Sequence, residues 1–207
     1  MSAEDWYRNT EWTDAIAAHF EEKLRKARRK EQYLRIQAST LAPHHPAVAL
    51  KLLERYFALP DDFDHAQAHV DRATALLTLG RVEDGLASYE AALAREGAFP
   101  KLQTQAYLEL PFVIGVNAIE SRYDRALEVL EKYKSRLTFP VDYFKWNTAR
   151  ALILAARGDS VGATANAKSA LEAASREKSG FRHHPSVGLV TEDHRDVLQR
   201  LIRYCDA

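Results

Sequence analysis

The chain has 207 residues, and its 29 basic side chains are balanced by 29 acidic ones. Overall charge therefore gives no reason to expect binding to nucleic acid or to an anionic membrane. The single cysteine, Cys205, excludes an internal disulfide and a Cys-x-x-Cys metal site. The N-terminus is polar and no run approaches the roughly 20 apolar residues of a membrane span. We expect a soluble cytoplasmic protein that needs no cofactor and no metal.

The N-terminal region combines an aromatic segment with a long predicted helix. Trp6, Tyr7 and Trp12 are predicted to fold over the first hairpin, and the alternative is a partner surface. A helix is predicted from Thr13 to Leu41, because that stretch lacks Gly and Pro and its apolar residues recur three, four or seven positions apart. We therefore expect one long N-terminal helix, which Thr13 or the residue after it caps.

A repeated pattern follows. Helices alternate with short turns, and a small residue stands five positions after each proposed turn residue. The turn residues are 36 to 41 positions apart, and the first copy is degenerate. The pairs of turn residue and small residue are His44 with Ala49, Gly80 with Gly85, Ser121 with Ala126, and Gly158 with Ala163.

This spacing resembles the tetratricopeptide repeat, with Gly80, Tyr89, Ala92 and Pro100 as its clearest matches. The first helix of each repeat departs from the usual sequence of the motif: Asn147, for example, stands where a large aromatic residue is usual. The resemblance implies an all-α fold, a right-handed α-α superhelix of stacked hairpins. We expect one domain over residues 1–207, with repeats at about 30–59, 64–98, 102–138 and 142–176.

The small residues have a physical role in this prediction. Ala73, Ala126, Ala151 and Ala163 would lie where paired helices cross, and a larger side chain there would push the two helix axes apart. Pro111 falls inside a predicted helix over 102–119, which we therefore expect to be bent or to begin late.

The C-terminal segment over 177–207 departs from the repeat. A loop with Gly180, Pro185 and Gly188 precedes a last predicted helix, for which Thr191 is the expected N-cap. That helix is predicted to cap the last repeat.

A basic run is the main local charge feature. It is predicted on the polar face of the long N-terminal helix, where pairs such as Glu22 with Lys26 are available. A solvated helix face is one interpretation, and contact with a polyanion or nucleic acid is the alternative. The candidate residues are Lys23, Lys26, Arg28, Arg29 and Lys30.

Two His-His-Pro sequences raise the question of a metal or catalytic site. Neither His44-His45 nor His183-His184 has the helical spacing that brings two imidazoles to one ion, so loop histidines are the preferred interpretation. No familiar catalytic motif is present. An enzyme with a site near His183, His184 and His194 is kept as a third hypothesis.

The resemblance favours a scaffold that binds a protein or peptide partner, and not an enzyme. Its ligand would lie in a concave groove lined by the first helix of each repeat. A homodimer through an uncovered end of the stack is compatible with every hypothesis. The predicted groove residues are Leu34, Ala38, Val70, Thr74, Leu77, Lys145, Thr148 and Leu152.

Overall fold

A computed structural model describes residues 5–60 and 63–206, and all regular secondary structure in these ranges is helical. None of the described helices is both long and apolar enough to cross a membrane. Short 3-10 turns lie at Glu120–Arg122, Lys134–Arg136 and Glu192–His194. The α-helices are α1 (Asp14–Lys26), α2 (Lys30–Leu41), α3 (Pro46–Phe57), α4 (His65–Thr78), α5 (Val82–Ala98), α6 (Ala106–Val116), α7 (Tyr123–Tyr133), α8 (Pro140–Ala156), α9 (Ser160–Ala174) and α10 (Arg195–Asp206).

The helices form two compact units, Met1–Ala106 and Tyr107–Ala207. In the first unit α2 packs on α3, α4 packs on α5, and α3 also contacts α4. In the second unit α8 packs on α9, and α7 contacts α8. We predicted a single domain, and the boundary after Ala106 falls near the start of the third predicted repeat, 102–138.

The second helices of the four predicted repeats share a register. The second helix of each pair begins at Pro46, Val82, Tyr123 or Ser160, and its fourth residue is the predicted small one. These residues are all buried: Ala49, Gly85, Ala126 and Ala163. A Cβ added to Gly85 would lie 2.9 Å from the Leu77 side chain, so α4 and α5 meet closely at this position.

The turns explain why the predicted repeats differ in spacing. Gly80 and Gly158 have φ of 73° and 83°, which glycine adopts without strain. In the third pair the left-handed residue is Ala118, with φ of 51°, and not the Ser121 that we predicted as the turn residue. The 3-10 turn at Glu120–Arg122 then adds three residues before α7 begins.

The long N-terminal helix was predicted wrongly, because the chain breaks at Ala27–Arg29 into α1 and α2. Arg25 with Arg29 and Lys26 with Lys30 would be like-charge neighbours one turn apart in a continuous helix. The break also lets Phe20 of α1 and Leu34 of α2 enter the same buried cluster. A straight helix of that length would span about 43 Å and carry them apart.

The N-terminal segment packs on these two helices. The Trp6 ring lies 5.4 Å from the Phe20 ring and 4.7 Å from the Tyr33 ring. Gln37 is fully buried, and its Nε2 donates to the Asn9 carbonyl at 2.8 Å. Its Oε1 accepts from the Asn9 backbone N–H at 3.0 Å and from Asn9 Nδ2 at 2.9 Å. The amide of Gln37 is therefore satisfied at both ends, and Thr13 caps α1 through its bond from the Ile16 N–H.

A buried polar network joins α2 to α4. Asp71 is 4% exposed and accepts from Arg35 Nη1 at 3.3 Å and from Gln67 Nε2 at 3.1 Å. Arg35 Nε also donates to Asp64 at 3.2 Å. Burial raises the pKa of Asp71 even though the neighbouring Arg35 charge and the hydrogen bonds oppose that change.

Helix α6 begins at Ala106, four residues later than the predicted start, and contains Pro111. Thr104 accounts for this late start. Its N–H and hydroxyl both donate to the buried Glu96 carboxylate, at 2.9 and 2.6 Å, while its Oγ1 accepts from the Ala106 N–H at 3.2 Å. The segment before Ala106 is thus held out of the helix by bonds to α5.

The last helix packs on α9, as predicted for a terminal cap, with Val197 and Leu201 in the buried cluster of the second unit. Thr191 lies at the N-cap position of the 3-10 turn that leads into this helix, but its side chain makes no capping bond. Helix α10 begins at Arg195 after a 3-10 turn, and the Thr191 hydroxyl donates to Asp193 at 2.9 Å and caps no backbone N–H.

Candidate binding surface

The predicted groove residues are divided between the two units and are mostly internal. Five of the eight are less than a tenth exposed: Leu34, Ala38, Val70, Thr148 and Leu152. Of the other three, Leu77 packs beside Gly85 and Thr74 donates to the Val70 carbonyl at 3.2 Å. A partner would therefore have to contact other residues of these helices.

Lys145 is the third of these residues, and it belongs to a small charged and aromatic cluster. Its Nζ lies 2.5 Å from Glu109 Oε1, and both side chains are largely covered. His194 packs edge-on against Phe112 and Phe144, with ring centroids 5.8 and 5.1 Å away. Burial, and then the charge of Lys145, lower the pKa of His194.

The five predicted polyanion residues do not share one helix face, because the break at Ala27–Arg29 divides them. Lys23 and Lys26 lie on α1, and Lys26 Nζ is bound to Glu22 Oε1 at 2.8 Å, as its spacing predicted. That bond lowers the pKa of Glu22. Arg28, Arg29 and Lys30 are exposed at the turn into α2. Polyanion binding there stays a prediction.

The paired histidines lie in loops. His45 Nε2 is 3.7 Å from Glu11 Oε2, and His183 and His184 are exposed. His194 is half-buried against Phe112 and Phe144. Within residues 5–60 and 63–206, no three His, Cys, Asp or Glu side chains are placed to hold a metal ion.

One histidine pair was not identified from the sequence. His65 and His69 are one turn apart on α4, and the His69 ring lies 4.7 Å from that of Phe57. Burial lowers the pKa of His69 to about 4, helped by the charges of His65 and Arg72. The imidazole is therefore neutral at physiological pH. The helical spacing could have revealed the pair, but two ligands alone do not make a zinc site.

An open cavity of the second unit lies between α8, α9 and the loop that follows α9. Its volume is about 550 Å³. We call it the Tyr143–Arg176 cleft, and its lining consists of Thr138, Pro140, Tyr143, Asn147, Ser169, Glu172, Ala173, Arg176 and Ser179.

The helix side of the cleft is held by capping bonds. Asp142 is 3% exposed, and its Oδ2 accepts from the N–H groups of Thr138 and Phe139, both at 3.0 Å. These bonds fix the start of α8, from which Tyr143 projects with 45% of its surface exposed. Asn147 lies one turn further on, and its Nδ2 donates to the Tyr143 carbonyl at 2.8 Å.

The loop side of the cleft is held by the second His-His-Pro sequence. The Ser179 N–H donates to the Pro185 carbonyl at 2.8 Å, and its hydroxyl donates to the His184 carbonyl at 2.9 Å. Phe181 stacks on Phe139 with centroids 5.1 Å apart. The His-His-Pro backbone thus shapes a wall of the cleft, while the imidazoles take no part in these bonds.

The described lining is suited to hydrogen bonding. It contains one carboxylate and one guanidinium, Glu172 and Arg176, whose closest atoms are 3.9 Å apart, together with hydroxyl and amide groups. Neither histidine nor cysteine occurs among these lining residues. The arrangement can hold polar groups of a ligand in place.

Comparison of the chain with protein-family models, with curated proteins and with solved structures found no match. The class of protein is therefore defined by the fold alone: an all-α protein built from packed helical pairs.

Proposed function

We propose that this protein is a cytoplasmic helical-repeat scaffold that binds an extended peptide segment in the Tyr143–Arg176 cleft. The shared register of Ala49, Gly85, Ala126 and Ala163 supports a tetratricopeptide-like stack of hairpins, since each is a small, buried residue at the fourth position of its helix. A small residue at such a position lets paired helices approach closely. Binding proteins with such stacks present their ligand surfaces on helical pairs.

The cleft itself carries the proposal. Its volume of about 550 Å³ is within the usual range of ligand sites, which extends from about 300 to 1,000 Å³. An extended segment presents unpaired backbone N–H and C=O groups that need partners when they leave water. The hydroxyl, amide and charged side chains of the lining supply such partners, and Tyr143 offers an exposed ring to a neighbouring side chain.

The polar lining also favours an extended ligand over an amphipathic helix. A helix pairs its own backbone groups and binds through an apolar stripe. Pro140 and Ala173 are the only aliphatic members of the described lining, so the cleft offers little for such a stripe.

The test is selection from a displayed library of random peptides, followed by titration of the selected peptide by fluorescence anisotropy. Tyr143→Ala and Arg176→Glu are each expected to weaken binding at least tenfold, because both side chains are exposed parts of the cleft. Val161→Ala is the matched control, since Val161 is 81% exposed at the start of α9 and does not line the cleft.

A library that yields no binding peptide would contradict the proposal. So would a selected peptide that binds both cleft variants as tightly as the original protein. Circular dichroism of each variant should show unchanged helical content, because both substitutions are at the surface.

A further inference from the structure

Four cationic side chains of the second unit lie over the rings of Tyr107, Tyr133 and Trp146. We call them the basic rim: Lys132, Lys134, Arg136 and Arg150. The Arg150 guanidinium is 4.7 Å and the Lys134 ammonium 5.4 Å from the ring centre of Trp146. The attraction between cation and ring holds each head group near one position.

The other two cations of the basic rim lie over tyrosine rings. Arg136 is 4.3 Å from the ring centre of Tyr133 and 5.5 Å from that of Tyr107. The Lys132 ammonium is 5.1 Å from the Tyr133 ring. Three rings from α6, α7 and α8 therefore organise positive charge contributed by α7, α8 and the 3-10 turn at Lys134–Arg136.

The basic rim adjoins the Tyr143–Arg176 cleft. At 100° per residue, Arg150 lies about 20° and Trp146 about 60° from Tyr143 around the axis of α8, so all three share one face. Thr138, which lines the cleft, follows Arg136 by two residues. A segment that lies along the cleft and leaves it past Tyr143 would meet the rim.

Three of the four rim cations have no counter-ion within the described residues. Lys132, Lys134 and Arg150 form no ion pair with any residue in the described part of the chain. Arg150 Nε is buried without a hydrogen-bond partner. Nearby on α7, Glu128 is bound to Arg125 at 2.9 Å. A local excess of one sign is informative here because the whole chain is neutral.

We propose that the peptide segment bound in the cleft carries Asp or Glu residues that contact the basic rim, an inference that rests on the proposed function. Carboxylates match both the ammonium and the guanidinium groups. Single-stranded nucleic acid fits less well, because it is held mainly by base stacking on open rings. Trp146 is 9% and Tyr107 4% exposed, and cations lie over both rings.

The experiment compares two fluorescent probes, a glutamate-rich peptide and an oligothymidylate of equal charge, in anisotropy titrations with the full chain. The glutamate peptide is expected to bind more tightly, with an affinity that falls as salt is raised. Lys132→Glu with Lys134→Glu should weaken it at least tenfold, and Lys134→Gln alone should weaken it two- to fivefold. Lys51→Glu, an exposed lysine of α3, should change it less than twofold.

Tighter binding of the oligothymidylate would overturn the inference, and so would equal losses in the Lys51 and Lys134 variants. Failure of this inference is distinguishable from failure of the proposed function. If library peptides bind the cleft without an excess of Asp or Glu and are insensitive to Lys134→Gln, the acidic partner is wrong and the peptide scaffold stands. If no peptide binds, the proposed function itself fails.

Discussion

Gly115 of α6 meets Ala149 of α8 backbone to backbone. A Cβ placed on Gly115 would be 3.2 Å from Ala149 Cα and 3.3 Å from its carbonyl oxygen. Both residues are buried, and neither neighbouring atom belongs to a flexible side chain that could move aside. Helices α6 and α8 are therefore as close at this point as a glycine permits.

We expect Gly115→Ala to lower the free energy of unfolding by about 1–3 kcal/mol, because the added methyl group overpacks this crossing. Gly97→Ala is the matched control. Gly97 is also helical, in α5, but a Cβ there meets nothing within 4 Å, so alanine should stabilise the protein by about 0.5–1 kcal/mol. Urea denaturation of both variants measures the change in the free energy of unfolding. Changes of the same sign in the two variants would contradict the prediction.

Replacing Gln37 should loosen the N-terminal segment. Gln37→Leu removes three hydrogen bonds to Asn9 and leaves the partly buried backbone N–H and C=O of that residue without these partners. We expect a loss of about 1–3 kcal/mol and faster hydrogen exchange at the Asn9 amide. The control is Gln199→Leu at an exposed position of α10. Unchanged exchange in the Gln37 variant would show that the aromatic packing of Trp6 suffices.

Arg35 and Asp71 should behave as a coupled pair. Arg35→Met alone leaves the buried Asp71 carboxylate without its cation and is expected to cost about 3 kcal/mol. Because burial already raises the pKa of Asp71, the double variant Arg35→Met, Asp71→Leu should recover most of that loss. A double-mutant cycle by thermal or urea unfolding measures the coupling. Additive losses from the two substitutions would contradict it.

Stability should fall as the pH falls below 6.5, in part through His69. The unfolded chain binds a proton at this imidazole near pH 6.5, whereas the folded protein does so only near its lowered pKa of about 4. Its contribution is therefore fully present above pH 6.5 and is lost progressively toward pH 4, on the order of 2 kcal/mol by pH 4.5. The variant His69→Phe should show a smaller loss between pH 7 and 4.5 in urea titrations, and His183→Phe, which changes an exposed ring, should not.

The helical pairs were predictable because their signals are local. Apolar periodicity and small residues at fixed offsets, such as Ala49, Ala126 and Ala163, can be recognised without knowledge of the rest of the chain. The break at Ala27–Arg29 was missed because no Gly or Pro marks it. It depends on repulsion among basic side chains and on where Phe20 and Leu34 must pack.

The binding surface was less accessible to sequence analysis. Apolar residues such as Val70 and Leu152 suit a groove and a core equally well, and only the neighbouring helices decide between these roles. The cleft joins Tyr143 and Asn147 of α8 to Arg176, about thirty positions later and beyond the end of α9. Polar residues of this kind occur on every surface helix, so their convergence has no sequence signature.

The extra 3-10 turn at Glu120–Arg122 shows which part of a hairpin can change in length. Despite the three added residues, Ala126 is still the fourth residue of α7. The extra length is therefore taken up by the connection and does not change the position of the small residue in its helix. The connections between paired helices are thus spacers, and the helix starts are the fixed points. Foreign sequence placed between Ala118 and Tyr123 would lengthen the hairpin at its tip and keep its interior unchanged.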